Sequence, residues 1–199
     1  VTIQLGGFNT YAQEILNETS SLYSFSPDII VLALQTRDIA PEIWSAHATL
    51  SPKEVESTVD RIIGDFDRLI QACRSRCNAH FIIHSLEVPC MPGLGLFDCQ
   101  SATGQAVTIN RINDELRRVA TVHRGVYVLD YDALVARYGR TRWHDERKWL
   151  TMRMPIAAEN LIHLAHEWLR FIHPLSGKIC KALVTDLDNT LWGGVIGED

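Results

Sequence analysis

Two aspartates near the carboxyl end of the sequence, Asp186 and Asp188, have the side chains and the spacing that phosphoryl transfer requires. The apolar run before them predicts a strand over 182–187 that ends in a turn where both carboxylates stand. Phosphoryl transfer uses a carboxylate nucleophile, a second carboxyl group that manages the leaving group's proton, and a hard cation that neutralises phosphate charge. Because Mg²⁺ binds oxygen ligands, commonly one or two carboxylates, we predict a magnesium-dependent site at Asp186 and Asp188.

The residues that follow this pair fit the same chemistry. Asn189 and Thr190 offer an amide and a hydroxyl group to a phosphate, and Gly193 and Gly194 let the backbone come close to a ligand. A solvated acidic strand end without a function could show the same aspartate spacing. The apolar run before the pair and the Leu-Trp-Gly-Gly run after it favour the functional interpretation. We therefore predict that the substrate's phosphate is bound by Asn189, Thr190, Gly193 and Gly194.

The chain before this motif alternates between strand-like and helix-like patterns. Apolar runs predict strands at 2–5, 28–34, 80–86 and 126–131. Strands that alternate with helices predict an α/β fold, with a parallel sheet flanked by helices on both faces. Ligands of such sheets bind at the carboxyl ends of the strands, which directs attention to the loops after Leu34, Leu86 and Tyr131.

Helical periodicity and capping residues mark the segments between the strands. Ser51, Pro52 and Glu54 form a capping-box pattern that predicts the start of one helix. Asp132 predicts the cap of a short helix that ends at Gly139, and the polar segment 139–149 predicts irregular structure. The other predicted helices cover about 10–23, 109–119 and 161–172, the last one ending before His173-Pro174.

Composition excludes several classes of protein. The net charge is −5 and the basic residues between 137 and 148 are interrupted by acidic ones, so the sequence lacks the basic surface that nucleic acid demands. No apolar stretch approaches the roughly 20 residues that a membrane span needs. The five cysteines are odd in number and scattered, which indicates reduced thiols in a cytoplasmic protein.

Several stretches resemble one known family. The run KALVTDLDNTLWGGVIGED at 181–199 is similar to the signature of FkbH-like proteins, which belong to subfamily IIIC of the haloacid-dehalogenase (HAD) superfamily. The resemblance extends upstream to 8–34, 109–120, 128–140 and 143–149. It implies an SGNH-hydrolase-like (flavodoxin-like, three-layer) domain over 1–177 without its first strand, followed at 178–199 by the first strand and first motif of a HAD domain. We therefore expect the chain to be a segment of a larger polypeptide and to be inactive alone.

The resemblance also implies a reaction. FkbH-like enzymes take a glyceryl group from 1,3-bisphosphoglycerate, remove phosphate, and load the acyl group onto an acyl carrier protein for polyketide assembly. Asp186 would then be the nucleophile and a Mg²⁺ ligand, and Asp188 the general acid/base. The expected partners are the carrier protein, 1,3-bisphosphoglycerate or a related acyl phosphate, and the other domains of the parent polypeptide.

Three further residues are candidates for this chemistry. Cys90 follows a predicted strand at the expected ligand edge, and acyl transfer to a carrier thiol can pass through an enzyme thiolate. The guanidinium groups of Arg37 and Arg147 can bind phosphate or carboxylate with two hydrogen bonds. The alternatives are an ordinary loop thiol at Cys90 and solvated surface side chains at both arginines.

The upstream domain departs from a working SGNH esterase. Residues 35–38 read Gln-Thr-Arg-Asp where an asparagine oxyanion donor would stand, and His144-Asp145 is in the wrong order for an Asp-x-x-His pair. A non-catalytic module that docks a carrier protein is therefore an alternative function. The arginines available to an acidic carrier are Arg137, Arg140, Arg142 and Arg147. An active esterase or acyltransferase of the SGNH type is the less favoured alternative.

Overall fold

The computed structural model describes residues 2–177. The chain is divided into two compact units, the first ending at Ala165 and the second beginning at His166. The strand predicted at 182–187 lies outside the described residues. Within the described residues, no helix combines the length and the apolar content that a membrane crossing requires.

Helices surround three strands in the described part of the chain. The strands are β1 (Ile29–Leu32), β2 (His80–His84) and β3 (Val126–Leu129). The helices before β2 are α1 (Tyr11–Leu16), α2 (Ser21–Phe25), α3 (Thr36–Ile39), α4 (Pro41–Ser45) and α5 (Pro52–Arg76). Those after β2 are α6 (Gln105–Val122), α7 (Tyr131–Tyr138), α8 (Arg140–Trp143), α9 (Glu146–Met152) and α10 (Leu161–Leu175). Short 3-10 helices cover His47–Thr49, Gly95–Gln100 and Ala158–Asn160.

The three strands form a parallel sheet in the order β1-β2-β3. The register places Phe81 of β2 beside Ile30 of β1 and Val126 of β3. Because the strands run parallel, their carboxyl ends lie at one edge of the sheet, and the loops that follow them converge there. This confirms the predicted parallel sheet.

One face of the sheet is covered by α5 and α6. The helix α5 begins as predicted, since Ser51 and Glu54 satisfy each other's backbone N–H groups in a capping box. Its buried residues recur with helical spacing, and Phe66 belongs to the same apolar cluster as Phe81 and Ile83 of β2. The helix α6 packs against both α5 and β3. The main apolar core therefore lies between these helices and the sheet.

The other face of β2 is also covered. Ile82 and His84, which point away from the main core, are both buried. The ring of His84 stacks on Tyr131 of α7 with 4.9 Å between centroids, and Trp143 Nε1 of α8 donates a hydrogen bond of 2.7 Å to the Tyr131 hydroxyl. Helices thus flank the sheet on both faces, and the predicted α/β class is confirmed.

Two predictions near the amino terminus are wrong. The segment 2–5 forms no strand, because no described strand lies beside it to pair with its backbone. Its apolar side chains Ile3 and Leu5 are 77% and 88% exposed. The helix predicted at 10–23 is divided into α1 and α2. The side-chain oxygen of Asn17 accepts hydrogen bonds from the N–H and hydroxyl of Thr19, and this local turn replaces the helical hydrogen bonds.

Corrections also apply after β3. The cap of α7 is Asp130, whose carboxylate accepts the N–H of Ala133 at 3.1 Å, and Asp132 points elsewhere. The polar segment 139–149 contains α8 and most of α9, because Asp145 caps α9 by accepting two backbone N–H groups. The last helix continues through Pro174 to Leu175, past its predicted end.

Candidate active site

A cavity of about 220 Å³ lies where the loops at the carboxyl edge of the sheet converge. Arg37 and Trp44 reach it from the segment after β1, Cys90 from the loop after β2, and Arg140 and His144 from the segment after α7. These residues are far apart in sequence, and the parallel strands bring them together. The cavity thus occupies the edge at which the fold class predicts a ligand.

Glu87 stands directly behind this cavity and is fully buried. Its Oε2 accepts a hydrogen bond from the backbone N–H of Thr36 at 3.0 Å. The Thr36 hydroxyl lies 2.9 Å from Oε2 and 2.7 Å from the Glu87 carbonyl oxygen, so these two acceptors share its one hydrogen. Burial raises the pKa of Glu87 to about 7, and the Thr36 hydrogen bonds limit that rise. Glu87 is therefore a carboxyl group that can gain or lose a proton near neutral pH.

His144 lies opposite Glu87 and lines the cavity. Its Nε2 is 3.8 Å from Glu87 Oε1, beyond hydrogen-bond distance, and among the described residues neither buried atom has a hydrogen-bond partner. Burial, and after it the positive charge of Arg37, lowers the pKa of His144 to about 4. The imidazole is consequently neutral at neutral pH, and its Nε2 lies on the side of Glu87.

Arg37 is held by aromatic rings and by an acidic side chain. Its guanidinium lies 5.0 Å from the ring centroid of Trp44 and 4.9 Å from that of Trp149. Both terminal nitrogens donate to the carboxylate of Glu146, the shorter contact being 2.9 Å. The Arg37 side chain is 6% exposed and that of Glu146 is 66% exposed. This places a fixed positive charge in the cavity wall, paired with a carboxylate that water also reaches.

The loop that carries Cys90 is fastened to α7 and α8. The Asp132 carboxylate accepts the backbone N–H of Val88 at 2.7 Å and two Arg140 hydrogen bonds at 2.6 and 2.8 Å. Arg140 also donates to the Val88 carbonyl at 2.9 Å. Two residues beyond Val88, the exposed Cys90 thiol lines the cavity within the electrostatic reach of Arg140. The ion pair therefore anchors the backbone at Val88, two residues before this thiol.

Comparison with known proteins identifies the family. A family model described as FkbH, N-terminal domain, matches residues 2–173. The chain belongs to the FkbH N-terminal domain family. The family resemblance of the sequence motifs is thereby confirmed. No curated protein matches the chain.

One solved structure is similar to this FkbH N-terminal domain. It is the crystal structure of the N-terminal part of the protein BF1531 from Bacteroides fragilis, containing a phosphatase domain complexed with Mg. The TM-score is 0.75 and the sequence identity 22%, and the match covers 98% of this chain and 50% of that one. The likeness supports the fold, and the chain spans half the length of the structure that it matches.

The remaining predicted site residues lie elsewhere. Arg147 is exposed on α9, its backbone N–H bound to Asp145, and it does not line the cavity. Within residues 2–177 no group of three His, Cys, Asp or Glu side chains could hold a metal ion. The two-carboxylate donor set predicted for Mg²⁺ suits that cation, but it falls outside the described residues together with the phosphate-binding predictions. The residues concerned are Asp186, Asp188, Asn189, Thr190, Gly193 and Gly194.

The sequence analysis did not single out Glu87, and it considered His144 only because His144-Asp145 is in the wrong order for an Asp-x-x-His pair. A signal was available for Glu87, because an acidic residue that directly follows an apolar strand lies at the carboxyl edge of the sheet. No sequence signal pairs it with His144, since the two residues are 57 positions apart and their approach depends on how α7 and α8 pack.

Proposed function

We propose that this FkbH N-terminal domain works in a cytoplasmic enzyme that removes phosphate from 1,3-bisphosphoglycerate, or a related acyl phosphate, and transfers the glyceryl group to an acyl carrier protein. The observation that carries the proposal is the cavity that holds the Cys90 thiol with Arg140 and the neutral ring of His144. A thiol can accept an acyl group, an imidazole can accept a proton, and a guanidinium can bind phosphate. A thiol that must stay reduced fits the cytoplasm.

The acyl transfer has two steps, acylation of Cys90 and transfer of the acyl group from Cys90 to the carrier. In the first, the Cys90 sulfur bonds to the carbonyl carbon of the acyl phosphate, the carbon–oxygen bond to phosphate breaks, and phosphate leaves with the electron pair. In the second, the carrier's thiol attacks the Cys90 thioester, and the Cys90 sulfur leaves and regains a proton. Arg140 and Arg37 contribute positive charge to the cavity where the phosphate of the first step would lie.

Removal of the second phosphate falls to the carboxyl-terminal motif. The family resemblance gives Asp186 the role of nucleophile and Asp188 that of general acid/base. Mg²⁺, when bound, neutralises phosphate charge and so allows a carboxylate to approach it. The motif at 181–199 and the family match over 2–173 support a polypeptide that contains both activities.

The test is loading of a carrier protein by the full-length protein. Wild type, 1,3-bisphosphoglycerate, Mg²⁺ and a phosphopantetheinylated carrier are incubated, and the intact carrier is weighed by mass spectrometry. We expect a glyceryl mass on the carrier with wild type and with Cys99→Ser, and none with Cys90→Ser. Cys99 is the matched control, because it is an exposed thiol of the same loop that does not line the cavity.

Without carrier protein, the acyl group should remain on the enzyme. Digestion at low pH would then show the glyceryl mass on the peptide that contains Cys90. A folded wild-type enzyme that leaves the carrier unmodified would refute the proposed reaction. Equal loading by Cys90→Ser would refute the role of this thiol and leave the overall reaction in place.

A docking role is the second candidate, and exposed basic residues favour it. Arg142 near the end of α8 and Arg147 on α9 are both exposed, and in sequence they lie close to the cavity-lining residues His144 and Glu146. An acidic carrier protein would be attracted to them, most strongly at low salt. Reversing both charges should slow carrier association by about tenfold at low ionic strength, measured by stopped-flow fluorescence. An unchanged association rate would exclude docking at these residues.

A further inference from the structure

Two buried polar atoms without partners face each other behind the cavity. Glu87 Oε1 and His144 Nε2 are separated by 3.8 Å, and neither has a hydrogen-bond partner among the described residues. Buried polar groups without partners are costly, so the pair requires an explanation. A shift of about 1 Å would bring the two atoms to hydrogen-bond distance. A small movement of Glu87 and His144 toward each other would therefore form a carboxylate–imidazole hydrogen bond.

We propose that His144 is the proton acceptor of the cavity and that Glu87 is the positioning residue that holds its ring as the Nε2–H tautomer. In this arrangement Nε2–H donates to Glu87 Oε1, and Nδ1 presents its lone pair on the cavity side. The inference rests on the proposed acyl transfer, because it names the group that accepts the thiol proton in that reaction.

The proton balance of both steps follows. In the first step the Cys90 S–H proton passes to His144 Nδ1 while sulfur attacks the acyl carbon, and the imidazolium then releases the proton to solvent. In the second step His144 takes the proton of the carrier's thiol and returns it to the departing Cys90 sulfur. Glu87 stays ionised throughout and stabilises the transient imidazolium, as a carboxylate behind a catalytic histidine does.

The pair should work only when Glu87 has lost its proton. A protonated Glu87 would donate to Nε2, which would move the ring's hydrogen to Nδ1 and remove the acceptor from the cavity. The charged and titratable groups that act on Glu87 are Arg37, Arg140 and Tyr131. Those that act on His144 are Arg37 and Glu146. Because burial raises the pKa of Glu87 to about 7, loading should increase as the pH rises through that value.

The variant Glu87→Gln gives a sharp test of the tautomer. Thr36 donates its backbone N–H to Oε2 of Glu87, so the carbonyl oxygen of a glutamine would occupy that position. The amide NH₂ would then face His144 and donate to Nε2. The imidazole would be forced into the Nδ1–H tautomer, with no lone pair on the cavity side. The substitution keeps the size of the side chain and reverses the direction of one hydrogen bond.

The experiment combines nitrogen-15 NMR of histidine-labelled full-length protein at about pH 8 with the carrier-loading assay, the His144 signal being assigned with His144→Gln. We expect the Nε2–H tautomer in wild type, the Nδ1–H tautomer in Glu87→Gln, and a loss of about 100-fold in the loading rate of that variant. Glu115→Gln is the control, since Glu115 pairs with Arg118 on the outer surface of α6 and should alter neither readout.

Each outcome decides a separate point. A wild-type Nδ1–H tautomer, or a tautomer unchanged by Glu87→Gln, would overturn the inference. So would a Glu87→Gln enzyme that loads the carrier at the wild-type rate across the pH range. A merely structural Glu87 would change stability without changing the tautomer. If wild type fails to load the carrier while the tautomer switch is observed, the proposed acyl transfer is overturned and the pairing of the two side chains is supported.

Discussion

The helix-packed face of the sheet and its carboxyl edge are built from opposite kinds of residue. On the face covered by α5 and α6, the largest buried side chains are apolar, among them Phe66, Phe81 and Ile83. At the carboxyl edge, the polar residues Thr36, Arg37 and Glu87 are buried as well. Burial stabilises the first group by removing apolar surface from water, whereas it costs free energy in the second unless each polar atom has a partner.

The difference indicates where the protein retains groups for a purpose other than stability. Most polar atoms at the edge are satisfied, for example by the Thr36–Glu87 and Arg140–Asp132 hydrogen bonds. Beside the cavity, the buried atoms without a hydrogen-bond partner include the facing atoms of Glu87 and His144, and further such atoms lie on His47, Arg74 and Arg76. Groups with strongly shifted pKa values that line a cleft are typical of functional sites. We infer that the face maintains the fold and that the edge carries the chemistry.

The largest expected effect is on the helix-packed face. Phe66→Ala removes a fully buried ring from the main core and should lower the free energy of unfolding by about 3–5 kcal/mol. Urea denaturation followed by circular dichroism measures this. Phe97→Ala is the matched control, because Phe97 is 73% exposed, and it should change stability by less than about 0.5 kcal/mol. Similar losses for both variants would contradict the assignment of the core.

The second prediction concerns pH and the edge. The pKa of Glu87 is raised from 4.5 to about 7, so the folded state holds a proton that the unfolded state has released. Stability contributed by Glu87 is therefore lost as the pH rises from 4.5 to 7. Glu87→Gln cannot titrate, so it should gain stability relative to wild type over this range, by up to about 3–4 kcal/mol at roughly 1.4 kcal/mol per pKa unit.

Denaturation of both proteins at a series of pH values measures this difference. The comparison cancels the contribution of His84, whose pKa is lowered by burial alone and which makes both proteins more stable as the pH rises toward 6.5. A stability difference that does not change with pH would mean that Glu87 titrates normally, and the contrast between the two regions would lose its electrostatic basis.

The fold was predictable where short-range patterns determine it. The apolar runs at 28–34 and 80–86 contain β1 and β2, and the Ser51 capping box marks the start of α5. Prediction failed where tertiary contacts decide the outcome. The segment 2–5 is apolar enough for a strand but has no described strand beside it to pair with. Asp132 stands where a helix cap is expected, but its carboxylate accepts hydrogen bonds from Val88 and Arg140 instead.

The candidate site was predictable only in part. The carboxyl edge follows from the parallel sheet, and Arg37 and Cys90 are both in the cavity wall. The Glu87–His144 pair could not be derived from the sequence, because it depends on the packing of α7 and α8 around Tyr131 and Trp143. Sequence periodicity reports which face of an element is buried, and it contains no information about which distant polar groups meet.

The third prediction addresses the satisfied part of the edge. Thr36→Val removes the hydroxyl that donates to Glu87, so it should lower the free energy of unfolding by about 1–3 kcal/mol. It should also raise the pKa of Glu87 further, since a hydrogen bond to the carboxylate is lost. The pH at which carrier loading begins would then move upward. This shift is the measurement that separates a functional edge from a merely polar one.

Thr58→Val on α5 is the matched control for this prediction. Thr58 is 8% exposed, and within residues 2–177 its hydroxyl is not hydrogen-bonded to a buried carboxylate. Its replacement should change stability by less than about 1 kcal/mol and should leave the pH dependence of loading unchanged. If Thr58→Val moved the pH dependence as much as Thr36→Val, the link between Thr36 and Glu87 would be refuted.

The smallest expected effect is at the start of α5, on the helix-packed face but far from its core. Ser51→Ala removes the side-chain oxygen that caps the helix, and should lower the free energy of unfolding by about 1 kcal/mol. Ser57→Ala, an exposed position inside the same helix, should be neutral or slightly stabilising, because alanine has the higher helix propensity. Neither variant should alter the rate or pH dependence of carrier loading when the protein is fully folded. Loss of loading in Ser51→Ala at unchanged stability would show that the two regions are coupled, and the separation of fold from chemistry would have to be abandoned.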